Sequence, residues 1–394
     1  MRVLIATDTY YPHVNGASYF TQRLAHFLHQ RGHAVLVIAP ARRFGYEDYT
    51  HNDIRIIGTP SLPSPFPNDF RFSLPSRRQR MREVIKEFSP DVVHIQSHFF
   101  LCRMVLKIAQ ELGLPTVGTN HFMPENLVHY VPISAGMQRR LGAWTWRDFY
   151  RIFKQLDVVT TPTPTAAHLL NSIGFSDVEA LSCGINRTLF HPRPEEDAEL
   201  AAAYDLGARP RLLYVGRLDH EKHVDIVLRA LAEIPPAERP QFLIAGHGAE
   251  AKNLHELASH LGLEGTVRFL GFVPNEILPR LYTAADCFVI AGTAELQSLV
   301  TMEAMASGLP VLAANAMALP ELVHTGENGY LFDIAQPAQL AGYIRELMAD
   351  ANKRHRMGEA SLRLVEKHDS AQVVEQYERV YQRAISLAAR QAQP

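Results

Sequence analysis

The chain has 394 residues, 47% of them hydrophobic, which is enough for two cores and suggests two domains. No run of about 18 apolar residues occurs, so no helix is expected to span a membrane, and Cys102, Cys183 and Cys287 fit no paired metal spacing and read as reduced core thiols of a cytosolic protein. The net charge of −2 is unevenly placed: residues 1–190 hold 20 Lys+Arg and 14 Asp+Glu, the remainder 19 and 27, so the first half is expected to meet something anionic.

The opening RVLIAT reads as a strand and not as part of a signal peptide. The loop TYYPHVNGAS follows, then a helix-period stretch from Tyr19 to Gln30 with Gly32 as its stop. Gly16, just before that helix, would let backbone approach a phosphate at the helix N-terminus, although a plain turn would use the same residue. AVLVIAP, DIRIIG, DVVHIQ, PTVGTN, DVVTTP and VEALSC are further strands. Such nearly continuous apolar runs separated by helices predict a parallel sheet buried on both faces.

Two basic stretches interrupt this pattern, residues 71–88 and 137–154. In the second, Trp144, Trp146, Phe149, Tyr150 and Phe153 interleave with Arg139, Arg140, Arg147, Arg151 and Lys154. That mixture suits a helix lying on an anionic membrane interface, or a core helix with a solvated basic face. HPRPEEDAEL (191–200) reads as a linker.

The strand pattern then restarts with RLLYVG, QFLIAG, TVRFLG, CFVIAG and PVLAAN. The chain is therefore read as α/β, two tandem Rossmann-like doubly wound domains facing a cleft, 1–190 and 191–370. A helical segment, 371–394, is expected to pack back across the junction. Ligands of such sheets bind at the C-terminal ends of the strands.

The loops at those ends carry the candidate chemistry. In VGRLDHEKHVD, Arg217 and Lys222 flank a turn before a helix, which suits a diphosphate; the alternative is surface pairing with Asp219 and Glu221. Gly246 in AGHG and the GFVP segment share that rim. Glu295 and Glu303 lie eight positions apart, about 12 Å if helical. With a helix starting near Ser298, the N–H groups near Leu299 and Val300 would face outward between the two carboxylates. That order suits a sugar, a diphosphate and a ribose. No D-x-D occurs, so the usual Mg²⁺ or Mn²⁺ clamp on a nucleotide sugar is missing; His94 and His98 sit at a strand end, a poor metal site. G-x-S-x-G and Walker A sequences are absent too.

The E-x₇-E pattern before AMASGLPV, with GRLDHEK upstream and a glycine loop after the first strand, resembles glycosyltransferase family 4 over nearly the whole chain. The resemblance implies retaining enzymes of the two-domain GT-B fold. It implies that Arg217 and Lys222 hold the donor diphosphate, that Gly16 lets it approach, and that Glu303 binds the ribose. Glu295 would hold donor-sugar hydroxyls, and His121 in GTNHF would line the reaction centre.

Many members read E-P-F-G where this chain has Glu295-Leu296-Gln297-Ser298, and Asn186 stands where an aspartate is common. The glutamine, and NHFMPENLVHY, resemble the branch that glycosylates diacylglycerol. The expectation is a metal-independent retaining hexosyltransferase without a cofactor, using a UDP- or GDP-hexose. Its acceptor would be a membrane glycerolipid at an anionic surface and its location cytoplasmic, peripheral on the inner face of the cell membrane. Nucleic acid is not expected as a partner. A soluble acceptor, such as a sugar or inositol phosphate, and a non-catalytic nucleotide-sugar-binding protein are the alternatives.

Overall fold

The first sheet is built from β1 (Arg2–Ala6), β2 (Ala34–Pro40), β3 (Glu47–His51), β4 (Ile54–Thr59), β7 (Val92–Ile95), β8 (Thr116–Thr119), β9 (Val158–Thr161) and β10 (Val178–Ala180). The short strands β5 (Ser61–Pro63) and β6 (Arg71–Ser73) form a separate ribbon. The strand order is β10-β9-β8-β7-β1-β2-β4-β3, parallel except for β3 at the edge. β3 has the sequence EDYTH, too polar to be read as a strand; it pairs antiparallel with β4 and covers that edge.

The second sheet holds β11 (Arg211–Val215), β12 (Gln241–Ala245), β13 (Val267–Gly271), β14 (Cys287–Ile290), β15 (Val311–Ala314) and β16 (Gly329–Phe332). Its order is β13-β12-β11-β14-β15-β16, all parallel. β11 and β14 are buried end to end and β1 from Val3 onward, because helices cover both faces, so their sequences show no alternation.

The computed structural model describes every residue except 12–14, 64–70, 75–77, 125–133, 194–196, 208–209 and 392–394. Parts of the TYYPHVNGAS loop, of NHFMPENLVHY, of the 71–88 stretch and of the 191–200 linker lie outside the described residues.

The chain forms two compact units, Met1–Gly184 with Ser370–Pro394, and Ile185–Asp369. The last helix, Ser370–Gln391, thus belongs to the first unit, where Tyr377 and Tyr381 are fully buried. The first helix begins at Gly16 rather than Tyr19, because the Asn15 side chain caps it by accepting from the Ser18 amide at 2.9 Å.

Each sheet reverses its winding at one point: β1 lies between β2 and β7, and β11 between β12 and β14. The chain leaving the two strands beside such a switch point diverges to opposite faces and opens a crevice at the strand ends.

Candidate functional site

In the second unit the crevice lies between the ends of β11 and β14. After β11 the chain runs Gly216-Arg217-Leu218-Asp219-His220-Glu221-Lys222 and enters the Val224–Ala232 helix. After β14 it runs Ala291 to Ser298 and enters the Leu299–Ala306 helix. The two loops are tied together: Thr293 N–H donates to the Glu221 carbonyl at 3.2 Å, and the His223 ring lies 3.1 Å from Thr293 Oγ1.

Across this gap Lys222 Nζ donates to Glu295 Oε1 at 2.7 Å. The two side chains are only 17% and 14% exposed, so water screens the pair weakly. Gly292 makes room for it, since a Cβ there would sit 3.0 Å from Glu295 Oε1. Arg217 bonds to Asp219 and, at 3.0 Å, to Glu221 Oε1, and both carboxylates are buried. The pairing of Arg217 with Asp219 and Glu221 is therefore real, but it is buried and fixes the guanidinium at the strand end. Lys222 instead pairs with a residue 73 positions away.

Gly246 follows β12 and serves packing. A Cβ there would lie 1.8 Å from the Gly216 carbonyl oxygen. Without one, the loops after β11 and β12 run backbone to backbone, with Gly216 N–H on the Ala245 carbonyl at 3.0 Å and Leu218 N–H on His247 at 2.9 Å. Ser298, where many family sequences have glycine, caps the Leu299–Ala306 helix; its hydroxyl oxygen accepts from the Thr301 amide at 3.3 Å. Leu299 and Val300 are thus the first two helical residues, at the end where backbone N–H groups and the positive end of the helix dipole point outward. Glu303 lies on the same helix, and the buried Tyr282 hydroxyl donates to its Oε2 at 3.0 Å.

The remaining candidates lie in the first unit. Gly16 is exposed at the start of its helix. Phe20 of that helix packs on the His121 ring with centroids 4.6 Å apart. His121 follows β8, and its Nε2 lies 2.8 Å from Gln96 Oε1. Burial pushes its pKa down to about 3, so the ring is neutral at physiological pH. Asp8, at the end of β1, accepts from Ser97 Oγ at 2.5 Å and from the Leu101 and Cys102 amides at the head of the Phe100–Glu111 helix. Gln96 and Asp8 were missed in the sequence; the signal available was a polar residue ending an apolar strand.

His94 is not a metal ligand: its Nδ1 lies 2.9 Å from Tyr381 Oη and its Nε2 2.7 Å from Thr119 Oγ1. Asn186 makes a local turn, its Oδ1 accepting from the Thr188 amide at 3.0 Å and the Thr188 hydroxyl at 2.7 Å. Among the described residues no group of three or more His, Cys, Asp or Glu could hold a metal ion.

The 137–154 stretch lies on one helix, Ala135–Phe153, with its cap at Lys154. Phe149 and Phe153 are fully buried in the first core, whereas Met137, Arg140, Trp144, Arg147, Arg151 and Lys154 are exposed at alternating spacings of three and four. Residues so spaced share one helix face. The helix is therefore both a core helix and the bearer of an outward basic and aromatic stripe. The 71–88 stretch is less available: Arg78 and Arg82 both pair with Glu111, and Arg80 sits over the Tyr46 ring.

Comparison with known proteins gives two family matches. Residues 14–189 match the model described as Glycosyltransferase Family 4, and residues 199–363 match Glycosyl transferases group 1. The chain is 31% identical over 372 residues to a GDP-mannose-dependent alpha-mannosyltransferase of Mycolicibacterium smegmatis, covering 93% of this chain and 92% of that one. It is 29% identical over 355 residues to the alpha-monoglucosyldiacylglycerol synthase of Streptococcus pneumoniae, covering 88% and 78%. Among solved structures, the sucrose-phosphate synthase of Thermosynechococcus elongatus aligns with a TM-score of 0.79 at 20% identity, covering 98% of this chain and 100% of that one. Anabaena HepE with UDP-glucose aligns at 0.76 and 19% identity, covering 97% and 100%. These two likenesses show the GT-B fold.

Proposed function

The chain belongs to glycosyltransferase family 4 and is an enzyme that transfers a sugar from a nucleotide sugar, and we propose that it passes a hexose, with retention, to a membrane glycerolipid. The donor lies in the crevice after β11 and β14. Arg217, Lys222 and the N–H groups of Leu299 and Val300 face the diphosphate and stabilise the charge that grows on it as the bond to the sugar breaks. Glu303 accepts from the ribose hydroxyls. Glu295, once the diphosphate takes over Lys222, accepts from hydroxyls of the donor sugar.

The sugar C1–oxygen bond to the phosphate breaks and a C1–oxygen bond to the acceptor forms on the same face. The acceptor's hydroxyl proton passes to the departing phosphate. On the family resemblance, Gly16 lets the diphosphate approach and His121 lines the reaction centre. Relatives leave the base open: the mycobacterial relative uses GDP-mannose and HepE was solved with UDP-glucose.

The exposed stripe on the Ala135–Phe153 helix carries the choice of acceptor. Arg140, Trp144 and Arg147 share a face that the core does not use. Cations beside an apolar ring suit an anionic lipid surface. No helix among the described residues is long and apolar enough to cross a membrane, so contact on this reading is peripheral, at the inner face of the cell membrane. The relative from Streptococcus pneumoniae is named for a glycosyldiacylglycerol product, which agrees with this acceptor.

Charge reversal tests it. Juxtamembrane cations contribute about 1 kcal/mol each, so Arg139→Glu, Arg140→Glu and Arg147→Glu together should release the protein from anionic vesicles at ordinary salt. The melting curve should stay in place, because all three residues are exposed. Unchanged sedimentation with vesicles, together with an intact melt, removes the reason for preferring a lipid acceptor.

A further inference from the structure

We infer that Gln96 is a positioning residue for His121: its side-chain oxygen fixes the imidazole in the tautomer protonated on Nε2, which leaves Nδ1 to accept a hydrogen bond from a sugar hydroxyl. The inference rests on the reading above that His121 lines the reaction centre.

Gln96 ends the DVVHIQ run and is 2% exposed. Its Oε1 lies 2.8 Å from His121 Nε2. A carboxamide oxygen carries no hydrogen, so the bond forms only if the imidazole donates. His121 is neutral, since burial holds its pKa at about 3, and a neutral ring has one N–H. With that hydrogen on Nε2, the lone pair is on Nδ1. The ring then acts as an acceptor of fixed identity, neither a cation nor a donor, toward whatever meets Nδ1.

Gln96 is itself held. Its amide nitrogen lies against the His94 ring, 3.2 Å from Nε2 and 3.4 Å from Nδ1, while its oxygen faces His121. His94 is fully buried and gripped at both ends, by Tyr381 Oη at 2.9 Å and Thr119 Oγ1 at 2.7 Å. Thr119 continues to Thr160 at 2.7 Å. Tyr381 belongs to the Ser370–Gln391 helix, so the end of the chain anchors a line of side chains that runs through His94 and Gln96 to His121. On the other side of His121, Phe20 closes the ring in with an apolar face. A line of buried, mutually satisfied polar groups costs more to disturb than isolated bonds and keeps a single arrangement.

The test uses full-length protein with ¹⁵N-labelled histidine rings, plus turnover of a UDP- or GDP-hexose. In the wild type the His121 Nε2 resonance should be of the protonated type and Nδ1 of the lone-pair type. Gln96→Met keeps the volume and removes the acceptor, so the ring should lose its single tautomer. One hydrogen bond of ordinary strength corresponds to a fall in kcat of about tenfold, with KM for the donor unchanged. Tyr381→Phe should move both readouts the same way by less, and it serves if Gln96→Met does not fold.

A wild-type His121 with its hydrogen on Nδ1 overturns the inference, and so does Gln96→Met with wild-type kcat while His121→Ala is inactive. If His121→Ala itself turns over normally, the placement of His121 at the reaction centre fails. The ring spectrum then still decides whether Gln96 sets the tautomer.

Discussion

Glu295→Gln should tighten binding of the nucleoside diphosphate while it slows transfer. The wild-type carboxylate sits 2.7 Å from Lys222 Nζ, with both side chains less than a fifth exposed. At an effective dielectric of about 20 the Coulomb attraction at that distance is about 6 kcal/mol. Most of it is offset by removing both charges from water, and partly exposed pairs retain about 1 kcal/mol. A diphosphate must displace this carboxylate from Lys222 and then sit beside it. Neutralising Glu295 removes the competitor, so the dissociation constant should fall about fivefold. The same change removes a charged acceptor for sugar hydroxyls, about 1.5–3 kcal/mol, so kcat should fall about 10- to 150-fold. Lys222→Ala acts in the opposite sense on binding, because it deletes the cation and leaves Glu295 without it; affinity should fall about tenfold or more. Adding Glu295→Gln to Lys222→Ala should recover part of that loss. Calorimetric titration with UDP and GDP reads all four proteins. Weaker binding by Glu295→Gln, or a double variant no better than Lys222→Ala, refutes the exchange of partners at Lys222.

Two further outcomes are expected. Transfer should persist in EDTA, because the head of the Leu299–Ala306 helix, and Lys222 once the diphosphate displaces Glu295, provide positive charge where a divalent ion would otherwise act; loss in chelator with recovery in Mn²⁺ contradicts this. Stability should fall as pH drops from about 6.5 towards 3. His94 and His121, both held at about 3 by burial, stay unprotonated when folded while the unfolded chain takes up protons. Asp8, raised by burial, works in the other direction. Denaturant midpoints at pH 7 and 5 measure the slope. His94→Gln should flatten it, and an unchanged slope would show that His94 is not buried neutral.

The sheets were legible because their central strands are buried on both faces and read as unbroken apolar runs. β3 was not: its EDYTH sequence forms a strand only because β4 offers it an edge. The cation loop was legible in Arg217 and Lys222, as was the helix start at Ser298. The partner of Lys222 was not, since the contact with Glu295 depends on β14 lying beside β11, a non-local pairing. Gly246 was read for its place on the donor rim; its packing need, with the Gly216 carbonyl standing where a Cβ would be, depends on β12 lying beside β11. His94 and Gln96 were hidden by their strand, whose polar members make sense only against Tyr381 from the far end of the chain.

The most direct measurement follows the sugar itself. The protein is incubated with hexose-labelled UDP- and GDP-sugars and vesicles containing diacylglycerol and anionic lipid, and the label is then located and its anomeric configuration determined. Label is expected in the lipid phase, joined to the glycerolipid with the donor's configuration kept, and that product should be lost in the Arg217→Ala and Lys222→Ala variants. Label confined to a water-soluble glycoside, or a lipid product of inverted configuration, would contradict it.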